Sequence, residues 1–229
     1  MKNSRVRVLL IGAAGRMGKT INDLANGDSE IDVIGQCDFG DPIEPAMKNC
    51  DVAIDFSNAD AVPEICRVAL QHRKPLVIGT TGHSEEQRRI IEETAQLLPI
   101  VFSSNFSIGV NVFFWLTRKA AERLGGDFEA KIVETHHKMK KDAPSGTAKT
   151  LAEVLKATRK TQSEIPIESI REGDIVGEHT VIFSGPSERL ELTHRAASRE
   201  IFARGALRAA KWITNQPPGL YSMQNVLGL

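Results

Sequence analysis

Cysteine is scarce in this chain. Only Cys37, Cys50 and Cys66 occur among 229 residues, irregularly spaced and without a Cys-x-x-Cys pair. That excludes a disulfide framework and argues against a structural zinc site, so free thiols in a reducing cytoplasm are expected. Net charge is also lacking, because 29 Lys plus Arg balance 29 Asp plus Glu. Chains that grip nucleic acid or anionic membranes carry a basic excess, so neither partner is expected. Long hydrophobic runs are missing too. Residues 8–14, preceded by Lys2, Arg5 and Arg7, start like a leader, but Arg16 and Lys19 interrupt them at once. The uncharged stretch 94–117 has the length of a membrane helix, yet Pro99, Ser103, Ser104, Asn105, Ser107 and Asn111 would be left unpaired in lipid. A cytoplasmic globular protein is the expectation, and 41% hydrophobic with 25% charged residues suits it.

What the sequence does contain is alternation. Residues 6–11, 31–37, 52–56, 76–78 and 100–102 read as short buried strands. Helical patterns at 16–25 and 59–71 lie between them, with Pro63 tolerated only in a first turn. A further helix opens at Ser84, with Gln87 completing a capping box. Regular strand–helix alternation predicts an α/β fold, a doubly wound (Rossmann-like) parallel sheet with helices on both faces. The pattern then changes. A helix over 108–124, a strand over 128–135 and a helix over 147–155 precede consecutive antiparallel strand-like runs at 166–171, 179–184 and 189–194. The last two are joined by a turn at Gly185-Pro186-Ser187. A final helix is read over 199–213. We therefore expect a dinucleotide-binding domain from 1–107 and 199–229, with the tail from 217 returning to it. Residues 108–198 form a smaller α+β domain with an open mixed sheet.

Between the first strand and first helix lies Gly12-Ala13-Ala14-Gly15-Arg16-Met17-Gly18. Glycines there let the backbone approach a pyrophosphate, whose charge meets the free N–H groups of the helix N-terminus. The spacing is G-x-x-G-x-x-G, so glycines that serve only a tight turn are the other reading. Asp38 stands twenty residues after Gly18, at the end of the second strand, where a carboxylate binds ribose hydroxyls. Phe39 follows it, not Arg or Lys, which favours NADH; Arg16 within the loop leaves NADPH open. Gly79-Thr80-Thr81-Gly82 and Ser103-Ser104-Asn105-Phe106 follow the fourth and fifth strands, where open α/β sheets bind ligands.

The segment from Glu134 to Thr147 concentrates the chemistry. Between Lys131 and Lys141 stand four lysines and two histidines against Glu134 alone. A solvated basic edge is the ordinary reading of such a run. Adjacent His136 and His137 on a strand point to opposite faces, which argues against one metal ion bound by both, so no metal is expected. Ser145-Gly146-Thr147 then open a helix, placing a hydroxyl and free N–H groups where an anion docks. Cations beside that helix end suit a small dicarboxylate, and a histidine there is readily tuned into a proton donor.

GAAGRMG, DFS at 55–57, GTTG at 79–82, NFSIGVNV at 105–112, E-x-HH-x-x-K-x-DAPSGTA at 134–148, HRA at 194–196 and the GLYSM tail together resemble the 4-hydroxy-tetrahydrodipicolinate reductase (dihydrodipicolinate reductase) family. The resemblance runs nearly end to end. It implies NAD(P)H-dependent reduction of a cyclic unsaturated imino dicarboxylate to tetrahydrodipicolinate, within lysine and diaminopimelate biosynthesis. His136 and Lys140 match the family's catalytic proton donors. His137, Gly146 and Thr147 match its substrate-carboxylate contacts, with Ser145 adjoining. Cofactor contacts match Gly12, Ala13, Ala14, Gly15, Arg16 and Met17, then Asp38, then Gly79, Thr80 and Thr81, and finally Ser103, Ser104, Asn105 and Phe106. The resemblance also implies a homotetramer built through the second domain's sheet, and closure about joins near Ser107 and Arg199. The chain is short for the family, and Phe39 stands where some members carry a basic residue. Two other activities fit the residues: a nicotinamide-sensing module without turnover, and a different small imino- or keto-acid dehydrogenase.

Overall fold

A computed structural model describes residues 5–229. Lys2, weighed above as part of a leader, lies outside the described residues. The chain forms two compact units, one running to Ile108 and resuming at Glu200–Leu229, the other Gly109–Arg199.

In the first unit, strands β1 (Val6–Ile11), β2 (Ile31–Cys37), β3 (Val52–Asp55), β4 (Leu76–Ile78) and β5 (Pro99–Phe102) alternate with four helices. These are α1 (Arg16–Asn26), α2 (Glu44–Asn49), α3 (Val62–His72) and α4 (Glu85–Ala95). Every pairing is parallel, in the order β5-β4-β3-β1-β2. Alternate residues of one strand explain why these runs are apolar throughout. Val8 and Leu10 enter a core with α1 residues Ile21 and Ala25, whereas Leu9 and Ile11 enter the opposite core with Val62, Ile65 and Ala69 of α3. A strand covered on both faces has no side to leave polar. The chain passes from β1 to β2 on one side and to β3 on the other. The resulting switch point is where such sheets bind ligands.

Several boundaries differ from the sequence reading. Helix α2 was not anticipated, since six residues with Pro45 in the first turn carry too little periodicity. The helix expected from 59 begins as a 3-10 turn capped by the Asn58 carboxamide oxygen and becomes α-helical at Val62. The Ser84–Gln87 capping box is present.

The second unit opens with most of α5 (Ile108–Leu124), then β6 (Glu129–His136), α6 (Gly146–Arg159), β7 (Ile167–Arg171), β8 (Gly177–Ser184) and β9 (Arg189–Ala196). Its sheet has the order β7-β6-β8-β9 and is mixed. The expectation of three consecutive antiparallel strands is corrected here. β7 lies on the far side of β6 and runs parallel to it, and only β6–β8 and β8–β9 are antiparallel. The long α6 connection, with its return loop, permits that parallel crossover, which a hairpin cannot make. Ile132, Val181 and Phe183 pack under α5 and α6 against Phe113, Leu151 and Leu155. The other sheet face carries Val133, Thr180 and Ile182 without a helix of this unit over it.

After α7 (Glu200–Ile213), the tail adds β10 (Gly219–Tyr221) and α8 (Met223–Leu227). β10 pairs parallel to β5 and makes the first sheet six-stranded. Met223 and Val226 join the core beside Val8 and Leu10. Among the described residues, no helix is long and apolar enough to cross a membrane. All three cysteines are free and buried.

Candidate active site

The glycine loop is built for close approach. Gly12 has φ +82°, and a Cβ there would lie 2.6 Å from the Phe56 carbonyl oxygen. At Gly18 a Cβ would meet the Gly12 carbonyl oxygen at 2.2 Å. No side chain can stand at either position without moving backbone. Gly15 caps α1 without any side-chain hydrogen bond, so the cap leaves the first N–H groups of the helix for another acceptor. The loop's Ala14 N–H donates to both Asp38 carboxylate oxygens at 2.9 and 3.0 Å. This bond ties the end of β2 to the loop after β1. Beside it, Asp38, Phe39, Asp41, Pro42, Asn58 and Glu64 line part of a cavity of about 320 Å³. Phe39 is 98% exposed there, and no Lys or Arg lines the cavity.

The next two strand ends are braced from below. Asp55 is fully buried at the end of β3. It accepts hydrogen bonds from Ser57 N–H (3.0 Å), Ser57 Oγ (2.5 Å) and Thr80 Oγ1 (2.7 Å). Burial raises its pKa, and these donors and nearby His83 only partly offset that. Thr80 is therefore occupied internally, whereas Thr81 is exposed. Ser103 Oγ donates to the Asn105 carbonyl and accepts from its N–H, closing the turn after β5, with Ser104 exposed. The Phe106 ring is buried against Phe56, centroids 5.6 Å apart. Together these groups match what a dinucleotide needs: close backbone approach, free helix N–H groups and an acid near the second strand.

The second cluster lies wholly in the second unit. β6 ends with Glu134 and His136 pointing inward, both buried, while His137 is only partly covered. Glu134 Oε2 takes the His136 Nδ1 hydrogen bond in a short contact. Its Oε1 accepts from Arg171 Nη2 at 2.7 Å and from the Ser145 N–H at 3.3 Å. Burial pushes Glu134 up, but Arg171, Ser169 and His136 outweigh it, so the carboxylate stays ionised below its ordinary range. Arg171 Nη2 also donates to the Asp142 carbonyl at 2.6 Å. Lys140 Nζ reaches the Asp142 carboxylate at 2.8 Å. Following the cis Ala143–Pro144 peptide, Ser145 caps α6. Its Oγ accepts the Ala148 N–H at 3.2 Å and pairs with His179 Nε2 at 2.9 Å. Gly146 and Thr147 form the first turn, as the sequence indicated.

The two buried histidines differ in setting. Burial lowers His136, the Glu134 bond and charge raise it, and Lys140 with Arg171 push it down again, leaving it below the ordinary value. His179 is pushed down to about 4, mainly by burial and then by His136, whose ring lies edge-on 5.0 Å away. The resting imidazoles are therefore neutral at pH 7. A dicarboxylate docked near Lys140 would favour the protonated form of His136.

Glu134, His136 and His179 also present three donor atoms within 4.8 Å, a spacing that a metal ion accepts. However, both Glu134 oxygens already hold protein donors, and the Arg171 guanidinium stands where a dication would be repelled. Glu134 and His136 form a hydrogen-bonded pair, while His179 packs edge-on against the His136 ring and bonds to Ser145 Oγ. Glu134, Arg171, His179 and Asp55 carried no assigned role in the sequence reading. Their signal is tertiary, because register alone sets Glu134 opposite His179 and His136 opposite Arg171.

Comparison with known proteins agrees with this geometry. The family models for the N-terminus and C-terminus of dihydrodipicolinate reductase match residues 6–106 and 109–227. The 4-hydroxy-tetrahydrodipicolinate reductase of Akkermansia muciniphila is 46% identical over 242 aligned positions, covering 98% of both chains. That of Zymomonas mobilis is 42% identical, covering 100% of this chain and 99% of the relative. A dipicolinate-bound dihydrodipicolinate reductase from Paenisporosarcina sp. TG-14 shares the fold, with TM-score 0.86 at 22% identity over 96% of this chain and 99% of that one. With both halves matched and full-length relatives above 40% identity, the chain belongs to the dihydrodipicolinate reductase family.

Proposed function

We propose that this protein reduces 4-hydroxy-tetrahydrodipicolinate to tetrahydrodipicolinate, using NAD(P)H, in diaminopimelate and lysine biosynthesis. The observation that carries this reading is the cluster at the α6 N-terminus within a chain of that family. A buried, ionised Glu134 joins His136 to the N–H of Ser145, the N-cap residue of that helix whose hydroxyl caps the first turn, and Lys140 stands in the loop between them. Reduced nicotinamide supplies a hydride when bound. Gly12–Met17, Asp38, Gly79–Thr81 and Ser103–Phe106 are the residues assigned to hold it, within residues 1–107 and 199–229. His137, Ser145, Gly146 and Thr147 receive the substrate carboxylates, within residues 108–198. Lys140 stabilises negative charge on the ring, and His136 delivers the proton that balances the hydride. The hydrated substrate also loses its hydroxyl as water.

NADH is the preferred cofactor in this proposal. Asp38, Asp41 and Glu64 line the cavity beside the loop, where a 2′-phosphate would meet carboxylates and no lysine or arginine. A cytoplasmic location suits the three reduced, buried thiols. Assembly as a homotetramer through the open face of the second sheet suits Val133, Thr180 and Ile182 on that face, and light scattering reads it directly. The decisive assay follows NADH and NADPH oxidation with freshly generated precursor beside a panel of keto and imino acids. Oxidation with the precursor alone is expected, with the lower KM for NADH. Turnover with other acids only would make it a different dehydrogenase, and binding without turnover would make it a sensor.

A further inference from the structure

We infer that Glu134, clamped by Arg171, is a positioning residue that fixes the tautomer of His136 and couples it to the substrate-carboxylate end of α6. This deepens the proposed reductase reading and rests on it for its kinetic half only.

Three features carry the inference. First, Glu134 is completely buried and its two oxygens are divided between two tasks. One receives His136 Nδ1, so that nitrogen carries the proton and Nε2 is left as the atom that gains or gives one. The other receives Arg171 Nη2 and the Ser145 N–H, which belongs to the N-cap of α6. A carboxylate shared in this way fixes the histidine and the anion-binding helix end to one another. Second, the space at Nε2 is kept open by the absence of a side chain. A Cβ at Gly177 would stand 3.0 Å from that atom, within the strand that packs beside it. Third, Arg171 is itself pinned by the Asp142 carbonyl, so the guanidinium cannot swing away and release the carboxylate.

Every charged or titratable neighbour enters the balance. Glu134 on β6 favours imidazolium, whereas burial, Lys140 in the following loop and Arg171 on β7 oppose it, and His179 on β8 faces the ring edge-on. Asp142 holds Lys140 by an ion pair. Glu134 is thus the only anion in direct contact with the His136 ring among the described residues.

The isosteric change Glu134→Gln separates positioning from packing. Arg171 and the Ser145 N–H are both donors, so the amide oxygen must face them and the NH2 group must face His136. Nδ1 then becomes an acceptor and the proton moves to Nε2. Two-bond 15N–1H correlation spectra of histidine-labelled protein are expected to show Nδ1–H for wild-type His136 and Nε2–H for E134Q. Steady-state kinetics of E134Q should show kcat down tenfold or more at pH 7, with KM for NADH within twofold. Its pH profile should lose activity at lower pH than wild type as pH rises. Glu134→Asp, which keeps the charge at shorter reach, should restore part of kcat.

An Nε2–H tautomer in the wild type would overturn the inference, as would E134Q turnover within threefold of wild type at every pH. If E134Q does not fold, the wild-type tautomer alone decides. Should the wild type fail to oxidise NADH or NADPH with the precursor, the reductase reading falls, while the tautomer measurement still tests the Glu134 assignment.

Discussion

His136 and Lys140 lie four residues apart, yet their surroundings give them different work. His136 is buried and neutral at rest, and its neighbours oppose one another in setting its proton affinity. Lys140 is 22% exposed and held by Asp142 at the rim. Replacing His136 with Gln should lower kcat by roughly 10²–10⁴, the usual span for loss of a general acid. NADH affinity, measured by fluorescence titration, should be unchanged. Turnover within a few-fold of wild type would reassign the acid. Replacing Lys140 with Ala should lower kcat and raise KM for the substrate together, and an unchanged KM would remove the lysine from the carboxylate pocket.

At the scale of elements, the proposed function assigns recognition to two helix N-termini. Ser145 caps α6 through the Ala148 N–H and is steadied by His179, so Ser145→Ala loses a cap and leaves His179 Nε2 without its partner. A loss of about 1 kcal/mol is expected from the cap alone, read as a lower denaturation midpoint, together with a higher substrate KM. At α1 the constraint is steric. The Cβ of Gly18→Ala would sit 2.2 Å from the Gly12 oxygen and 2.6 Å from the Ala13 Cα, so the loop must shift. NADH affinity should fall tenfold or more by fluorescence titration, with the His136 resonances in place. Altered His136 resonances with intact NADH binding would contradict that division of labour.

Over the whole molecule, burial makes the fold sensitive to acid. His83, His136, His179 and His194 all have depressed pKa values, with burial the leading cause in each. Between the folded and unfolded values the unfolded chain binds more protons, so stability is fully present above about pH 6.5 and falls as pH drops. For His179 the window extends to about pH 4 and corresponds to at most roughly 3 kcal/mol. The carboxylates of Asp28, Asp51 and Glu134 are held low, so their contribution is lost in turn at still lower pH. Thermal midpoints measured from pH 8 to 4 should decline mainly below 6.5. A flat profile across that interval would show that these histidines are not shielded in solution.

The local signals in the sequence proved the durable ones. Strand–helix alternation, the glycine loop, the Ser84 capping box and the helix after Ser145 depend on neighbours within a few residues, and all are legible there. The short α2 was not legible, because six residues hold too little pattern. The placement of β7 was not either, since a run of apolar residues states that a strand exists but not which strand it pairs with. That same ambiguity hid the site's inner layer. His136 and Lys140 are visible in one segment, but Arg171 and His179 come from other strands and reach Glu134 only through the register of β7 and β8 on β6. Sequence by itself determined most of the elements and the family, because propensity, capping and motif spacing act over short range. Tertiary structure alone decided which buried groups share protons, because contact between distant strands is set by sheet order and core packing.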